Sequence, residues 1–194
     1  MSWKFKNRNW SGSVVTISTV IFAIVSLISV YISLTTWQTQ REAARPYFSF
    51  IESPSLKVSN EAYEFEFKFK NVGVHPATSL YSRTLVFEQN LSQRPILIDD
   101  YTVVNDIPRD TSTSLLLNLQ DKDFYDKANI NPHFIIIYLT YADPIVDKPY
   151  TQTIYLKWAG VIAGQPQPLL HVEMTEKENI VRYIENRGLL NNLN

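Results

Sequence analysis

Thirty-two consecutive positions, 9–40, carry no charged side chain. Within them, 14–34 is dominated by Val, Ile, Leu, Phe and Ala. A run of this kind constrains the chain more than anything else in it. In hydrocarbon a single segment satisfies its own backbone polar groups only as a helix. Its 21 residues make a helix of roughly 31 Å, which matches the thickness of a bilayer's apolar core. Trp10 and Trp37 flank it, where indoles prefer the headgroup level. The competing reading is a cleaved signal peptide. Its apolar region spans only about 7–15 residues and ends in a small-residue site of the A-x-A kind. Ser33-Leu34-Thr35-Thr36-Trp37 offers no such site. The expectation is an uncleaved single-pass anchor over 14–37, preceded by a basic flank, 1–13, in a cell (inner) membrane. Lys4, Lys6 and Arg8 on one side balance Arg41, Arg45 and Lys57 on the other. The positive-inside rule therefore leaves the side of the soluble domain open.

One face of this helix is small and polar. Gly12, Thr19, Ser26 and Ser33 recur every seven residues, with Ser29 and Thr36 three positions after the last two. Small and hydroxyl side chains let helices approach closely in lipid, so these six residues are the candidate seam of a homo-oligomer. The competing reading is that the hydroxyls bond back to their own helix's carbonyls. Residues 38–46 hold good helix formers, and Pro46 should end the helix before a first strand at 47–51. Anchor and domain are thus joined with little slack, which makes Arg41, Arg45 and Pro46 candidate coupling residues.

An apolar helix, then Arg41-Glu42-Ala43-Ala44-Arg45-Pro46-Tyr47, then a β domain resembles a loose group of small bacterial single-pass membrane proteins. The likeness covers about residues 14–90 and implies no activity.

Residues 47–170 read as strands, and 62–70 is the sharpest of them. Tyr63, Phe65, Phe67 and Phe69 alternate with Glu64, Glu66, Lys68 and Lys70, as in a half-buried antiparallel strand. Asn71-Val72-Gly73 marks a turn through residues tolerant of positive φ. Strands are predicted at 78–88, at 96–104 with a break at Asp99-Asp100, at 111–119, at 134–141 and at 150–158. The run FIIIYLTY at 134–141 reads as a central strand covered on both faces. About seven short strands at near ten-residue spacing predict a β-sandwich, with a small barrel as the alternative. The pattern 62–88, strand, Asn71-x-Gly73, Pro76-Ala77, strand, resembles bacterial immunoglobulin-like modules of the cell-adhesion type. The predicted fold class is therefore mainly β: a transmembrane helix, an immunoglobulin-like sandwich and a short C-terminal helix. Residues 160–168 read as a linker. The region 171–194 holds an amphipathic helix with a capping box at Thr175-x-x-Glu178, a stripe of Ile180, Val181 and Ile184, and a stop at Gly188.

Chemistry-bearing motifs are few. Cysteine is absent, which excludes a disulfide scaffold, a thiol nucleophile and a thiolate zinc site. His75, His133 and His171 are dispersed, so no metal or other cofactor is expected. There is no G-x-S-x-G, P-loop or dinucleotide fingerprint, and no catalytic residue is nominated. The acidic cluster Asp121-Lys122-Asp123-Phe124-Tyr125-Asp126 lacks the Gly and late Glu of a calcium loop. After Arg45 the chain carries 13 Lys and Arg against 18 Asp and Glu. That balance argues against a DNA or RNA polymer as partner. Aromatic residues on strands are expected in the core. Tyr141, Tyr150, Tyr155 and Trp158 cluster near one predicted hairpin and form the candidate recognition patch. Two functions fit. One is a membrane-anchored, non-enzymatic binding module that presents its sandwich to a protein partner. The other is an oligomeric effector whose β domain binds a small ligand, such as a nucleotide second messenger in bacterial antiphage defence, and rearranges the helices.

Overall fold

A computed structural model describes residues 10–59, 62–120 and 128–190. The acidic cluster at 121–126 and the basic flank before Trp10 lie outside the described residues. The chain divides into two compact units, 1–44 and 45–194. It is mainly β, with an N-terminal apolar helix and a short C-terminal one.

The first unit is the helix α1, Trp10–Ala43, whose 34 residues rise about 51 Å. It is long and apolar enough to cross a membrane, a property shared by membrane spans and signal sequences. Its large apolar side chains are exposed. The helix continues through 38–43, and the Ala44 amide donates to the Gln40 carbonyl at 3.1 Å.

The second unit contains eleven strands and one helix among its described residues. In one sheet β3 (Ala62–Asn71) pairs along one edge with β1 (Phe48–Phe50) and then β2 (Ser55–Ser59), and along the other with β6 (Ser112–Leu119). The second sheet runs β11 (Leu169–His171), β8 (Lys148–Trp158), β7 (His133–Asp143), β4 (Thr78–Glu88), β5 (Leu97–Val103). All pairings are antiparallel. The two sheets share one core. Phe65, Phe67, Leu115 and Leu117 from the first meet Val86, Ile135, Ile137, Leu139 and Trp158 from the second. The alternation at 62–70 holds: the aromatics are buried and the charged residues between them half-buried.

The apolar run at 134–141 has two partners. Ile135, Ile137 and Leu139 point into the shared core, whereas Phe134 and Ile136 point the other way with Leu85 and Phe87. There they meet Ile180, Tyr183 and Ile184 of α2 (Met174–Arg187). Tyr183 belongs to that stripe, and Val181 is only half-buried. The helix begins two residues earlier than its sequence cue. Glu173 is the N-cap, and its amide donates to Glu176 Oε2 at 3.1 Å, so the box is Glu173/Glu176 and not Thr175/Glu178. Gly188 ends it in the left-handed region at φ 60°.

Three further expectations are corrected. Strand β5 is continuous through Asp99-Asp100, because Arg83 on β4 forks onto Asp100 with bonds of 2.8 and 2.7 Å and offsets its charge. Strand β2 is additional to the predicted strands. The expected linker at 160–168 is folded. Val161 is buried, β9 (Val161–Ile162) pairs with β10 (Gln165–Pro166), and the Trp158 indole donates to the Gln167 carbonyl at 3.0 Å.

Candidate functional site

Two places in the β unit gather unusual local structure. The first is the end at which Arg45 stands, here the near end. The chain arrives there through four residues that are each held. Pro46 is buried, and its carbonyl accepts from the Tyr141 hydroxyl at 3.2 Å. Burial pushes that phenol's pKa up to about 12, so it remains a donor at neutral pH. The Tyr47 amide donates to Asn71 Oδ1 at 3.2 Å, and its carbonyl accepts from Val72 at 2.8 Å. The Phe48 backbone exchanges two bonds with the Gln152 side chain, at 3.1 and 2.6 Å. The Arg45 guanidinium lies 5.6 Å from the centre of the Tyr150 ring.

Asn71 organises this end. It is fully buried, and its side-chain amide makes four bonds. Its Oδ1 accepts from Tyr47 and from Gly73 at 3.0 Å, while Nδ2 donates to the carbonyls of His75 at 2.9 Å and Ile107 at 3.1 Å. Neither Asn71 nor Gly73 has a positive φ, so tolerance of that region is not why they stand at this turn. Asn71 is there for its amide. Gly73 is there because a Cβ would meet the backbone of Arg45, Pro46 and Tyr47. Beside them His75 Nδ1 lies 2.7 Å from Oδ2 of the fully buried Asp143. The other carboxylate oxygen of Asp143 caps the β7–β8 turn through the Ile145 amide at 2.9 Å.

The second place is a groove of about 900 Å³ between the edges of the two sheets. One wall is the β1–β2 segment, with Phe50, Ile51 and Leu56. The other is β11, with Leu169, Leu170 and His171, and β8 residues such as Tyr155 also line it. Ile51 and Leu170 remain exposed there. The sequence does not show this site, because its two walls lie about 115 residues apart and one of them begins in the loop-like stretch 166–168. The one available cue was the apolar pair Leu169-Leu170 directly after Pro166 and Pro168, a strand-like stretch with prolines only at its start.

The candidate residues from sequence are distributed as follows. Arg41, in the first unit, lies over the Trp37 ring at 4.4 Å. Arg45 and Pro46 belong to the near end of the second unit. Gly12, Thr19, Ser26, Ser29, Ser33 and Thr36 all lie on α1. Thr19 bonds the Val15 carbonyl at 2.8 Å and Ser29 that of Val25 at 2.9 Å, which satisfies those hydroxyls locally. The recognition patch is corrected. Tyr141, Tyr150 and Trp158 are buried, and only Tyr155 is half-exposed. The period of two along β8 sends residues 150 and 158 inwards and 155 outwards, and Tyr150 stands opposite Tyr141 in register.

Among the described residues no group of three or more His, Asp or Glu could hold a metal ion. The three histidines sit apart. His75 is at the near end, His133 is buried against Trp158 with its pKa lowered by burial, and His171 is exposed on the groove.

No protein-family model matches the sequence, and no curated protein does. Among solved structures the chain is similar to the solution structure of a protein described as late embryogenesis abundant (LEA). That match has 13% identity and a TM-score of 0.35, over 82% of this chain and 95% of that one.

Proposed function

We propose that this protein is a single-pass, membrane-anchored binding module of a bacterial inner membrane, with no catalytic step of its own. Its β unit is read as an immunoglobulin-like sandwich that engages a protein partner. The observation that carries this reading is the groove, whose walls are the outer strands of two different sheets. Outer strands offer unpaired backbone donors and acceptors, so an extended segment of a partner can add to them while Ile51 and Leu170 receive its side chains. The charge-free run 9–40 supports the anchor. The test uses the full chain in its own cells, with a photo-crosslinking amino acid at Leu170 or at Tyr101 on β5. Carbonate-washed membranes should retain the protein. A defined adduct should form from position 170 and not from 101, and a synthetic peptide of the captured segment should compete it away. Equal labelling from both positions, or none from 170, would refute the groove. A carbonate-soluble product would refute the anchor.

A second reading, the oligomeric effector, is favoured by the junction. Ala44 alone separates the helix end at Ala43 from the held residues 45–48. On that reading a ligand on the β unit shifts helices packed along Thr19, Ser26 and Ser33. Replacing Ser26 and Ser33 together by leucine should reduce crosslinked oligomers severalfold, whereas Val25→Leu with Ile32→Leu should not. Equal behaviour of the two pairs would remove the seam.

A further inference from the structure

We propose that the near end of the β unit is a lipid-contacting surface, resting in the interfacial layer of the bilayer that α1 is taken to cross. The inference rests on the anchor reading. Four separate segments meet at this end: residues 45–47, the β3–β4 turn at 72–77, the β5–β6 connection at 104–111 and the β7–β8 turn at 144–147. The bridge between Ala77 and Ile107 ties two of them together. Connections of this sort are ordinarily polar at their tips. Here Tyr47, Val72, Val74, Val104 and Ile145 are each between 45 and 88% exposed. Apart from Ile51 and Leu170 in the groove, the remaining exposed apolar side chains of this unit are scattered over strand faces and the opposite loops. Single exposures like those need no explanation, but five converging from four segments do.

Charge and connectivity choose the occupant. The unit as a whole is acidic, but this end is not. Lys70 and Arg109 take up Asp110 at 2.9 and 3.4 Å, and His75 faces the buried Asp143. Arg45 and Lys148 offset Asp106 and Asp147 in number. A near-neutral, apolar rim with tyrosine and long cations is what the headgroup layer accepts. The chain itself brings lipid within reach. From Trp37 at the flank of the apolar run to the helix end at Ala43 is six residues, about 9 Å of helix, and Ala44 and Arg45 add about 7 Å at most. The headgroup layer itself fills roughly 5–7 Å of that distance.

The absence of cysteine makes the test direct, because any introduced thiol is unique. Val74→Cys, Val104→Cys and Ile145→Cys carry an environment-sensitive fluorophore in the full chain, reconstituted into phosphatidylcholine vesicles. Ile162→Cys, as exposed as Val74 and Ile145 but on the β9–β10 hairpin at the other end, is the control for the β unit. Val25→Cys on α1 is the control for the anchor. Shallow spin-labelled lipid should quench positions 74, 104 and 145 at least twofold more than 162, with blue-shifted emission, while deep spin label quenches 25. If 74, 104 and 145 behave like 162 while 25 is quenched, the lipid surface is refuted and the anchor stands. A blue shift at the three positions that grows with protein-to-lipid ratio, without quenching, assigns the surface to a second copy and also refutes it. No quenching at 25 overturns the anchor and this inference with it.

Discussion

Replacing Asn71 with leucine should lower the thermal unfolding midpoint of the full chain in detergent by about 10 °C. The two side chains share one branched heavy-atom skeleton, so leucine enters in the same shape and removes every hydrogen bond, while its bulkier methyl groups add some overpacking. Four bonds are lost at a fully buried position, and the partners left behind are the amides of Tyr47 and Gly73 and the carbonyls of His75 and Ile107. A buried group left without a partner costs about 1–3 kcal/mol. The surrounding turns can relax towards water, so a total of about 4 kcal/mol is expected. For a unit of this size each kcal/mol corresponds to roughly 2–4 °C. Asn118→Leu, on the exposed side of β6, should change the midpoint by less than about 2 °C. A drop for Asn71→Leu no larger than that of Asn118→Leu would show that the four bonds are replaced at no cost, and that Asn71 does not organise the near end.

Gly73→Ala should be nearly as damaging, for a steric reason. A Cβ at this position would fall 2.6 Å from Pro46 Cα and 2.8 Å from the Tyr47 nitrogen, and against the Arg45 carbonyl as well. Every obstacle is backbone, so no side-chain rotation relieves the clash. Either the β3–β4 turn or residues 45–47 must move, at about 1–3 kcal/mol for an overpacked site. The bonds from Tyr47 to Asn71 and from Val72 to Tyr47 then lengthen together. Hydrogen exchange at Tyr47, Phe48, Val72 and Gly73 should accelerate by more than about tenfold, while exchange in the centre of β7 is less affected. The same change at Gly12 meets nothing within 4 Å and should be harmless or stabilising, since alanine is the better helix former. Unaltered exchange at Tyr47 and Phe48 in the Gly73 variant would mean that the junction is not held by this contact.

Both variants bear on function through one element. Residues 45–48 are the stretch of the β unit that α1 leads into, so loosening them should weaken the transmission that the effector reading requires and leave a tethered binding module intact. Crosslinking from the groove therefore separates the two readings in the same proteins. It should persist in Gly73→Ala, since Ile51 and Leu170 lie beyond the disturbed turn.

Much of the architecture was legible along the chain, and for local reasons. Strand β3 could be read because it has one buried face, so polarity alternates at the period of the pleat. Strand β4 could be bounded to the residue by its flanking turn and polar end. Strand β2 could not, because Ser55, Lys57 and Val58 are exposed, Leu56 is only half-buried, and the strand owes its conformation to pairing with β3. The segment at 160–168 reads as a linker for a similar reason. Its glycines and prolines are loop-like in isolation, and its order comes from Val161 in the core and from the Trp158 indole reaching the Gln167 carbonyl.

The sequence by itself determined the apolar helix, its continuation beyond Trp37, the mainly β character of the remaining chain and the amphipathic helix near the C-terminus. Each is written in side-chain periodicity or in an uninterrupted apolar run, which are properties of neighbouring residues. Only the tertiary structure decided which face each aromatic takes, burying Tyr141, Tyr150 and Trp158, and only it brought β1–β2 and β11 together as the walls of a groove. It alone gave Asn71 and Gly73 their roles. A buried amide is defined by the four backbone groups that converge on it, and a missing side chain by the backbone that occupies its place. Those groups come from positions 45–47, 75 and 107, and nothing in the local sequence records that distant segments meet there.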